Sequence, residues 1–250
     1  MPRRGSLAAL LLLLLLGLAV SCPLQPAPPL APRVVLWAWE RPEDLSFLAN
    51  PSVEVSVLLA TLELRASRWR THSRQQPIRL PAGKRPRGTI RLEMRDGASL
   101  AHYSPAQLRG VAQRLVDLAR ARDVSMLQID FDARESEQAA YLALLRQTRE
   151  LLGASRPLSI TGLASWCTQG SWLEQAPVDE VVPQLFRMGP EGPTWRARFA
   201  RGGAAPCGRS VGLALDERHR APSGVDTLYL FNPRPWTSES LAQALKDLTP

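Results

Sequence analysis

Apolar and polar residues alternate through the middle of the chain, most clearly over 127–132, LQIDFD. Because alternate residues of a strand share a face, Gln128, Asp130 and Asp132 point one way and the apolar residues between them point the other. A polar group buried without a partner costs roughly 2–7 kcal/mol. We therefore expect the polar face of this strand to line a polar cavity.

The same kind of pattern predicts seven further strands, and apolar residues at helical spacing predict helices between some of them. The predicted strands are 34–39, 53–60, 89–94, 126–132, 158–163, 178–186, 210–215 and 227–231. The predicted helices are 104–122, 138–152 and 238–248, with a short helix over 171–175. Ser104 suits a helix cap and Pro105 a first helical turn. The basic, proline-containing region 65–86 predicts a loop with a short strand near 77–80.

Strands that alternate with helices predict an α/β fold, here a (β/α)8 barrel of the TIM type. Helical patterns are weak or missing after several of the predicted strands. We therefore expect an irregular barrel, with some helices shortened or absent. Residues 33–250 suit a single domain of this kind.

The first 32 residues carry the pattern of an export signal. Two arginines precede an apolar run over 7–20, which is short for a spanning helix of roughly 20 residues, so residues 1–21 predict a signal peptide. The run ends in LAVSC, which resembles a bacterial lipobox and predicts lipidation of Cys22. The alternative is ordinary cleavage near Ser21, which would release a periplasmic protein. The proline-rich residues 22–32 would form an extended tether.

The charge and the cysteine content limit the cellular compartments and the classes of partner that fit this sequence. The chain has 31 Lys and Arg against 23 Asp and Glu, a formal net charge of +8. Its densest basic patch, over 65–91, would suggest nucleic acid in a cytosolic protein. Behind an export signal the patch favours solvent, anionic lipid or an acidic glycan, and we expect no nucleic-acid partner. Cys167 and Cys207 form either one disulfide or two buried thiols.

Polar and aromatic residues collect where the predicted strands end. In a TIM barrel these C-terminal ends hold the active site. Carboxylates supply the acid, base or nucleophile of glycoside hydrolysis, and indole rings suit the apolar face of a sugar. The residue types therefore predict a carbohydrate site. The candidate substrate-binding residues are Trp37, Glu40, Arg91, Trp166, Gln184, Arg187, Asn232 and Trp236.

Four carboxylates are the candidate catalytic residues. Asp130 and Asp132 end the fourth predicted strand. Asp216 lies on the face of the seventh strand that carries small residues, so we expect it to point into the barrel mouth, with Glu217 beside it. Asp132 would be the general acid/base, Asp130 would tune its pKa, and Asp216 or Glu217 would be the partner. The alternative for the last two residues is a solvated turn.

Other kinds of chemistry have weaker support. The alternative for Asp130 and Asp132 is a structural acid pair, neutralised by Arg91 or Arg187. Asp-x-Asp is also a common pattern for divalent cations, but a full site needs more ligands, and the three histidines are scattered. The sequence has no Gly-x-Ser-x-Gly motif and no phosphate-binding glycine loop after a strand. We therefore expect no metal and no cofactor.

Four segments occur in a fixed order, namely LQIDFD at 127–132, YLALL at 141–145, LSITGLASW at 158–166 and VDEVVPQLFRMG at 178–189. In this order they resemble a bacterial family known as domain of unknown function 3142. The resemblance implies a glycoside-hydrolase-like barrel and names no reaction. Many relatives carry cysteine after the second aspartate, where this chain has Ala133, so a cysteine there is not essential to a shared chemistry.

The Asp-x-Asp strand end also resembles family 18 chitinases, whose motif places a catalytic glutamate two residues later. That position is Arg134 here, with Glu135 one residue further. The substitution argues against the substrate-assisted hydrolysis of that family. Two hypotheses follow. The first is an exported barrel that acts on a polysaccharide by two-carboxylate acid/base chemistry. The second is a non-catalytic envelope lipoprotein that binds a glycan or scaffolds a complex.

Overall fold

Eight parallel strands form a closed ring in the computed structural model. The residues that it describes are 31–66, 68–168, 171–202, 206–217 and 220–248. The ring runs β1, β3, β6, β7, β8, β9, β10 and β11, and β11 pairs with β1 to close it. The predicted TIM-type barrel is confirmed. The predicted signal peptide, most of the tether and Cys22 lie outside the described residues.

The eleven described strands include the ring and three short additions. They are β1 (Arg33–Ala38), β2 (Glu43–Asp44), β3 (Val53–Leu64), β4 (Trp69–Ser73), β5 (Ile78–Arg79), β6 (Arg87–Met94), β7 (Leu127–Asp130), β8 (Leu158–Leu163), β9 (Glu180–Gln184), β10 (Ser210–Ala214) and β11 (Thr227–Phe231). The α-helices are α1 (Pro105–Ala121), α2 (Gln138–Leu152), α3 (Gly192–Ala200) and α4 (Ser238–Leu248). All eight predicted strands and the three longer predicted helices are therefore present.

The barrel strands divide their residues between two sides. On β7, Leu127 and Ile129 are fully buried in the apolar core that also contains the inward faces of α1 and α2. Gln128 faces the barrel interior, where its Oε1 accepts a hydrogen bond from Trp37 Nε1 at 2.8 Å and its Nε2 donates to Ser159 Oγ at 3.1 Å. The polar face predicted from the alternation thus lies inside the barrel, where neighbouring strands supply its partners.

A glycine on β10 makes room for the largest ring in the barrel interior. A Cβ atom on Gly212 would lie 2.7 Å from Cη2 of Trp37, well inside van der Waals contact. The indole of Trp37 is 2% exposed and also contacts the ring of Tyr229, with 5.0 Å between centroids. The small residues predicted to face the interior on this strand therefore accommodate an aromatic residue from β1.

The barrel is irregular, as predicted, but three elements differ from the prediction. In the described residues no α-helix follows β1, β3 or β10, and only two 3-10 turns, Ala164–Trp166 and Trp172–Gln175, lie between β8 and β9. The predicted loop over 65–86 contains β4, which pairs antiparallel with an extension of β3 that reaches Leu64. Its sequence, WRTHS, is half-buried or exposed throughout and so lacks the apolar pattern of a core strand. Helix α3 was not predicted, because only Phe199 and Gly192 are buried on it.

Cys167 and Cys207 form a disulfide, with their Cα atoms 5.2 Å apart. It joins the segment after β8 to the segment before β10. Both residues are buried. Of the two open alternatives for these cysteines, the structure therefore contains the disulfide. No helix in the described part of the chain has the length and the apolar character that crossing a bilayer requires.

Charged residues fill the barrel interior at the N-terminal ends of the strands. Arg87 is 4% exposed, and its Nε lies 2.7 Å from Glu54 Oε2 and its Nη1 3.5 Å from Glu180 Oε2. Tyr229 also donates to Glu180 Oε2, at 2.6 Å. Buried charges are tolerated when they are paired and hydrogen-bonded. This network closes one end of the barrel, and the cavity lies at the other.

Candidate active site

A pocket of about 480 Å³ opens at the C-terminal ends of the barrel strands. This is the end at which TIM barrels hold their active sites, and the volume suits a small-molecule site. The lining residues are Trp37, Trp39, Arg91, Asp130, Asp132, Thr161, Leu163, Ala164, Ser165, Gln184, Phe186, Arg187, Met188, Glu191, Trp195 and Phe231. Of the predicted site residues, six therefore meet in one cavity: Trp37, Arg91, Asp130, Asp132, Gln184 and Arg187.

Asp130 is the buried carboxylate of this pocket, with 7% of its surface exposed. Its Oδ1 accepts hydrogen bonds from Thr161 Oγ1 at 2.7 Å and from Gln184 Nε2 at 3.3 Å, and its Oδ2 lies 3.8 Å from Nε of Arg91. Burial raises the pKa of Asp130 above its ordinary value, the bond from Thr161 opposes that shift, and the charge of Asp132 adds to it. The site therefore favours a proton on this carboxyl group.

Asp132 follows β7 and is exposed to the pocket. Partial removal from water raises its pKa, and the positive charge of Arg91 acts in the opposite direction. A carboxyl group that reaches a cavity and holds its proton to higher pH than a free aspartate has the property that a general acid needs. Both aspartates line the pocket, and Asp132 is the more exposed of the two.

Aromatic rings form the opposite side of the pocket. Phe186 and Phe231 are stacked, with 5.9 Å between centroids and planes 5° apart. Trp39 meets Phe231 edge to face at 6.4 Å, and Trp37 meets Phe186 in the same way at 6.3 Å. Such contacts fix the rings against each other. The pocket therefore combines carboxyl groups with a rigid apolar surface.

Arg187 connects this pocket to the second predicted acid pair. Its guanidinium lies 5.5 Å from the centroid of Phe231, and its Nη2 donates to Asp216 Oδ2 at 2.8 Å. Its backbone N–H donates to Glu217 Oε1 at 2.7 Å. The backbone of Arg187 has φ +54°, a conformation that non-glycine residues rarely adopt. Asp216 and Glu217 thus hold a strained residue at the pocket wall.

The structure places Asp216 and Glu217 in a second depression, of about 1000 Å³, and not in the lining of the first pocket. The prediction that Asp216 points into the barrel mouth assumed that β10 continues to that residue. The strand ends at Ala214, and Glu217 N–H then bonds Ala214 O at 3.1 Å in a turn. The turn breaks the alternation on which the prediction rested, and it directs both acids toward Arg187.

Four other predicted binding residues also lie outside the first pocket. Trp166 is 4% exposed and packs edge to face on Trp172 at 5.2 Å, in the core outside the ring. Trp236 is 3% exposed, and its Nε1 donates to the Trp37 carbonyl at 3.1 Å. Asn232 lines the second depression. Glu40 accepts the backbone N–H groups of residues 75 and 76, at 2.9 and 3.0 Å. Each is held by packing or by backbone hydrogen bonds.

Two residues of the pocket, Glu191 and Trp195, were not predicted from the sequence. They lie in the connection from β9 to α3 and in the first turns of that helix, and both line the pocket. Trp195 Nε1 donates to Glu191 Oε2 at 3.2 Å, and the Arg198 guanidinium lies 5.6 Å from the Trp195 centroid. The only sequence signal was their spacing of four residues after a Gly-Pro pair, which is typical of a helix start.

No group of three or more His, Cys, Asp or Glu side chains among the described residues could hold a metal ion. A shallower depression of about 310 Å³ continues from the pocket past Asp132 and is lined by Arg91, Arg95 and Arg134, among others. Arg134, at the position of the chitinase glutamate, is exposed there. The pocket therefore offers acid/base groups and aromatic rings as its chemistry.

Solved structures share the barrel at low sequence identity. A family 18 chitinase from Pseudoalteromonas aurantia matches with a TM-score of 0.54 and 7% identity, over 85% of this chain and 99% of its own. A fungal endo-β-N-acetylglucosaminidase of family 18 matches with a TM-score of 0.50 and 11% identity, over 86% and 84%. At these identities the likeness concerns the fold alone. The fold is that of a TIM barrel.

The chitinase domain of the spore coat protein CotE from Clostridium difficile gives a TM-score of 0.40 at 14% identity, over 63% of this chain, and this chain spans half the length of that domain. No protein-family model matches the sequence, and no curated protein does. Membership of the family known as domain of unknown function 3142 therefore stays a prediction.

Proposed function

We propose that this barrel acts on a polysaccharide, which it binds in the pocket at the C-terminal ends of its strands. The observation that carries the proposal is the pocket itself, in which carboxyl groups with raised pKa values face a wall of fixed aromatic rings. Sugar rings present an apolar face that stacks on such rings, and glycosidic bonds are cleaved by paired carboxyl groups. The family 18 neighbours share this fold and are named as enzymes that act on glycans.

In this proposal Asp132 is the general acid/base, because it is exposed to the cavity and its pKa is raised. Asp130 is held by Thr161 and Gln184, and the charge of Asp132 raises its pKa, so the two carboxyl groups are coupled. Arg187 and Gln184 bind the sugar. We assign the partner carboxylate to Glu191, since it lines the same pocket.

The hydrolytic proposal is tested by incubating the purified full chain with a panel of polysaccharides and measuring the release of reducing ends. Asp132→Asn should abolish turnover while glycan binding persists, because the amide has the shape of the acid without its proton. Glu135→Gln is the matched control, because Glu135 is exposed and outside the pocket lining. Hydrolysis by the Asp132→Asn variant at the wild-type rate would refute the role of Asp132.

A specific observation favours a second candidate function, a non-catalytic glycan-binding or scaffolding lipoprotein. Arg134 stands where the family 18 motif has its catalytic glutamate. Asp216 and Glu217 bind Arg187 and do not belong to the pocket lining that contains Asp132. Binding across the panel without any release of reducing ends would make this second function the better account.

We also propose that the chain is exported, as a periplasmic protein or as a lipoprotein anchored through Cys22. The Cys167–Cys207 disulfide supports export, because disulfides persist mainly in oxidising compartments.

The ordered segments that resemble the family known as domain of unknown function 3142 lie on β7, α2, β8 and β9, which supports membership in that bacterial family. Fractionation of a bacterial host tests the anchor. Cys22→Ala should move the protein from the membrane to the soluble fraction, and an unchanged distribution would contradict lipidation.

A further inference from the structure

The charges that line the pocket are not balanced. Its carboxyl groups are Asp130, Asp132 and Glu191, and its cations are Arg91 and Arg187. Neither Asp132 nor Glu191 forms an ion pair within 4.0 Å with any described residue. This is unexpected in a chain with a formal net charge of +8, where cations outnumber carboxylates. The excess of negative charge is therefore local to the pocket.

Both arginines of the pocket are bound to carboxylates outside its lining. Arg91 Nε lies 3.1 Å from Glu93 Oε1, closer than the 3.8 Å to Asp130. Arg187 Nη2 lies 2.8 Å from Asp216 Oδ2. Within this lining the carboxyl groups outnumber the cations by three to two, and neither arginine forms an ion pair with Asp132 or Glu191. We expect a ligand to supply positive charge there.

The ring surfaces of the pocket also favour a cation. Rings present negative potential on their faces, and a cation within about 6 Å of a centroid is attracted to it. The chain already uses this contact twice at the pocket, with Arg187 at 5.5 Å from Phe231 and Arg198 at 5.6 Å from Trp195. Aromatic faces beside unpaired carboxylates are the surroundings in which proteins bind ammonium groups.

We propose that the pocket selects a glycan with free amino groups, a glucosamine-type sugar whose ammonium group lies between Asp132 and Glu191. The proposal rests on the proposed function, since it names the substrate class of the same site. The sugar ring would stack on the aromatic side while its ammonium group supplies the missing positive charge. An N-acetylated or purely neutral glycan fits the rings but brings no positive charge to either carboxylate.

The test compares three oligosaccharides of equal length by calorimetric titration in mildly acidic buffer, where glucosamine is protonated. They are oligomers of glucosamine, of N-acetylglucosamine and of glucose. We expect the glucosamine oligomer to bind at least tenfold more tightly than the other two. Because the whole protein is positively charged, non-specific attraction works against this ligand, so a preference for it reports the pocket.

Two variants and a matched control locate the preference. Asp132→Asn and Glu191→Gln each remove one negative charge from exposed side chains of the pocket, and each should reduce the preference about fivefold or more. Glu135→Gln removes the same charge outside the lining and should leave the preference unchanged. Equal loss in all three variants would overturn the proposal, because it would report the overall charge.

The outcomes also separate this proposal from the one on which it rests. Equal binding of all three oligomers, or tighter binding of the acetylated one, would overturn the amino-sugar proposal and leave the glycan site standing. No binding of any oligomer would refute the proposed function itself. The amino-sugar proposal would also be overturned if an aliphatic polyamine of equal charge displaced the glucosamine oligomer at equal concentration. The sugar ring would then contribute nothing to binding.

Discussion

Two strand ends in this barrel carry neighbouring acidic residues, and the fold puts them in opposite surroundings. At the end of β7, Asp130 is 7% exposed and Asp132 opens onto the pocket, and burial raises the pKa of both. After β10, the Asp216 side chain is 41% exposed and is bound to Arg187. The two pairs look alike as sequence. What separates them is burial: Asp130 is the last residue of β7 and is buried in the barrel, whereas Asp216 follows the end of β10 and forms an exposed ion pair with Arg187.

This difference suggests a division of labour. The first pair is suited to proton transfer to a ligand. The second pair binds Arg187, whose backbone lies at φ +54° and has to be held there by its neighbours. A residue held in that region costs about 1–3 kcal/mol and persists only when its surroundings fix it. The Glu217 bond to the Arg187 N–H and the Asp216 ion pair provide that support. We therefore treat the second pair as positioning residues.

The largest expected effect is a difference in kcat between variants of the two pairs, measured on a glycan that the protein cleaves. Asp132→Asn should lower kcat by at least about 100-fold, since general acid/base catalysis contributes about 10²–10⁴-fold. Asp216→Asn should change kcat by less than about threefold, because Asp216 contacts Arg187 and not the pocket. Steady-state kinetics of both variants measure this. The reverse order of effects would exchange the roles of the two pairs.

The sequence predicted the first pair well because its evidence was local. Alternation over 127–132 predicts a barrel strand with its polar face inward, and the structure confirms a barrel strand over Leu127–Asp130, with Asp132 two residues past its end. The prediction for Asp216 needed the place where β10 stops. Alternation cannot show this place, because bulky apolar residues still alternate with other residues through Leu215 and Asp216, past the last strand residue, Ala214.

The aromatic side of the pocket was harder to predict for a related reason. Trp166 and Trp236 also follow strands, yet both are buried in packing contacts, whereas Trp195 lies on a helix that has no clear apolar stripe. Whether a tryptophan is core or pocket depends on neighbours distant in sequence, such as Trp172 for Trp166. Strand position alone does not contain that information.

The two acid pairs should also differ in how they make the stability of the protein depend on pH. The pKa of Asp130 is raised above its ordinary value of 3.8 in the folded protein, so the folded state binds its proton more tightly than the unfolded state does. Its contribution to stability is therefore fully present below the unfolded pKa and is lost as pH rises through the folded pKa. Asp130→Asn keeps an acceptor for Thr161 without the buried charge. Near neutral pH the variant should therefore be more stable than the wild type.

Urea unfolding of the wild type and of Asp130→Asn, across the range from acid to neutral pH, measures this difference. The two stability curves should converge at low pH, where Asp130 is protonated. Asp216→Asn is the control from the second pair, and its stability should stay within about 1 kcal/mol of the wild type, since exposed ion pairs contribute no more than that. A destabilised Asp130→Asn at neutral pH would mean that the carboxylate is stabilised by Arg91 more than burial disfavours it.

A smaller effect tests the positioning role of the second pair. Glu217→Ala removes the acceptor of the Arg187 N–H and frees the connection that leads to Glu191. We expect KM to rise about threefold while kcat stays within about twofold, because the change loosens ligand binding and leaves the reacting groups in place. Glu135→Gln serves as the control for a lost surface charge. A fall in kcat as large as that of Asp132→Asn would make Glu217 a catalytic residue.

The smallest expected effect concerns the ion pair between Arg187 and Asp216. Their side chains are 52% and 41% exposed, so water and salt screen the attraction despite the 2.8 Å separation. Exposed pairs typically contribute about 0.2–1 kcal/mol. A double-mutant cycle on unfolding free energy, with Arg187→Gln, Asp216→Asn and the double variant, should give a coupling energy in that range, and added salt should reduce it. A coupling energy above about 2 kcal/mol would show that the second pair, like the first, acts in low-dielectric surroundings. The contrast between the two strand ends would then lie in their partners and not in their exposure.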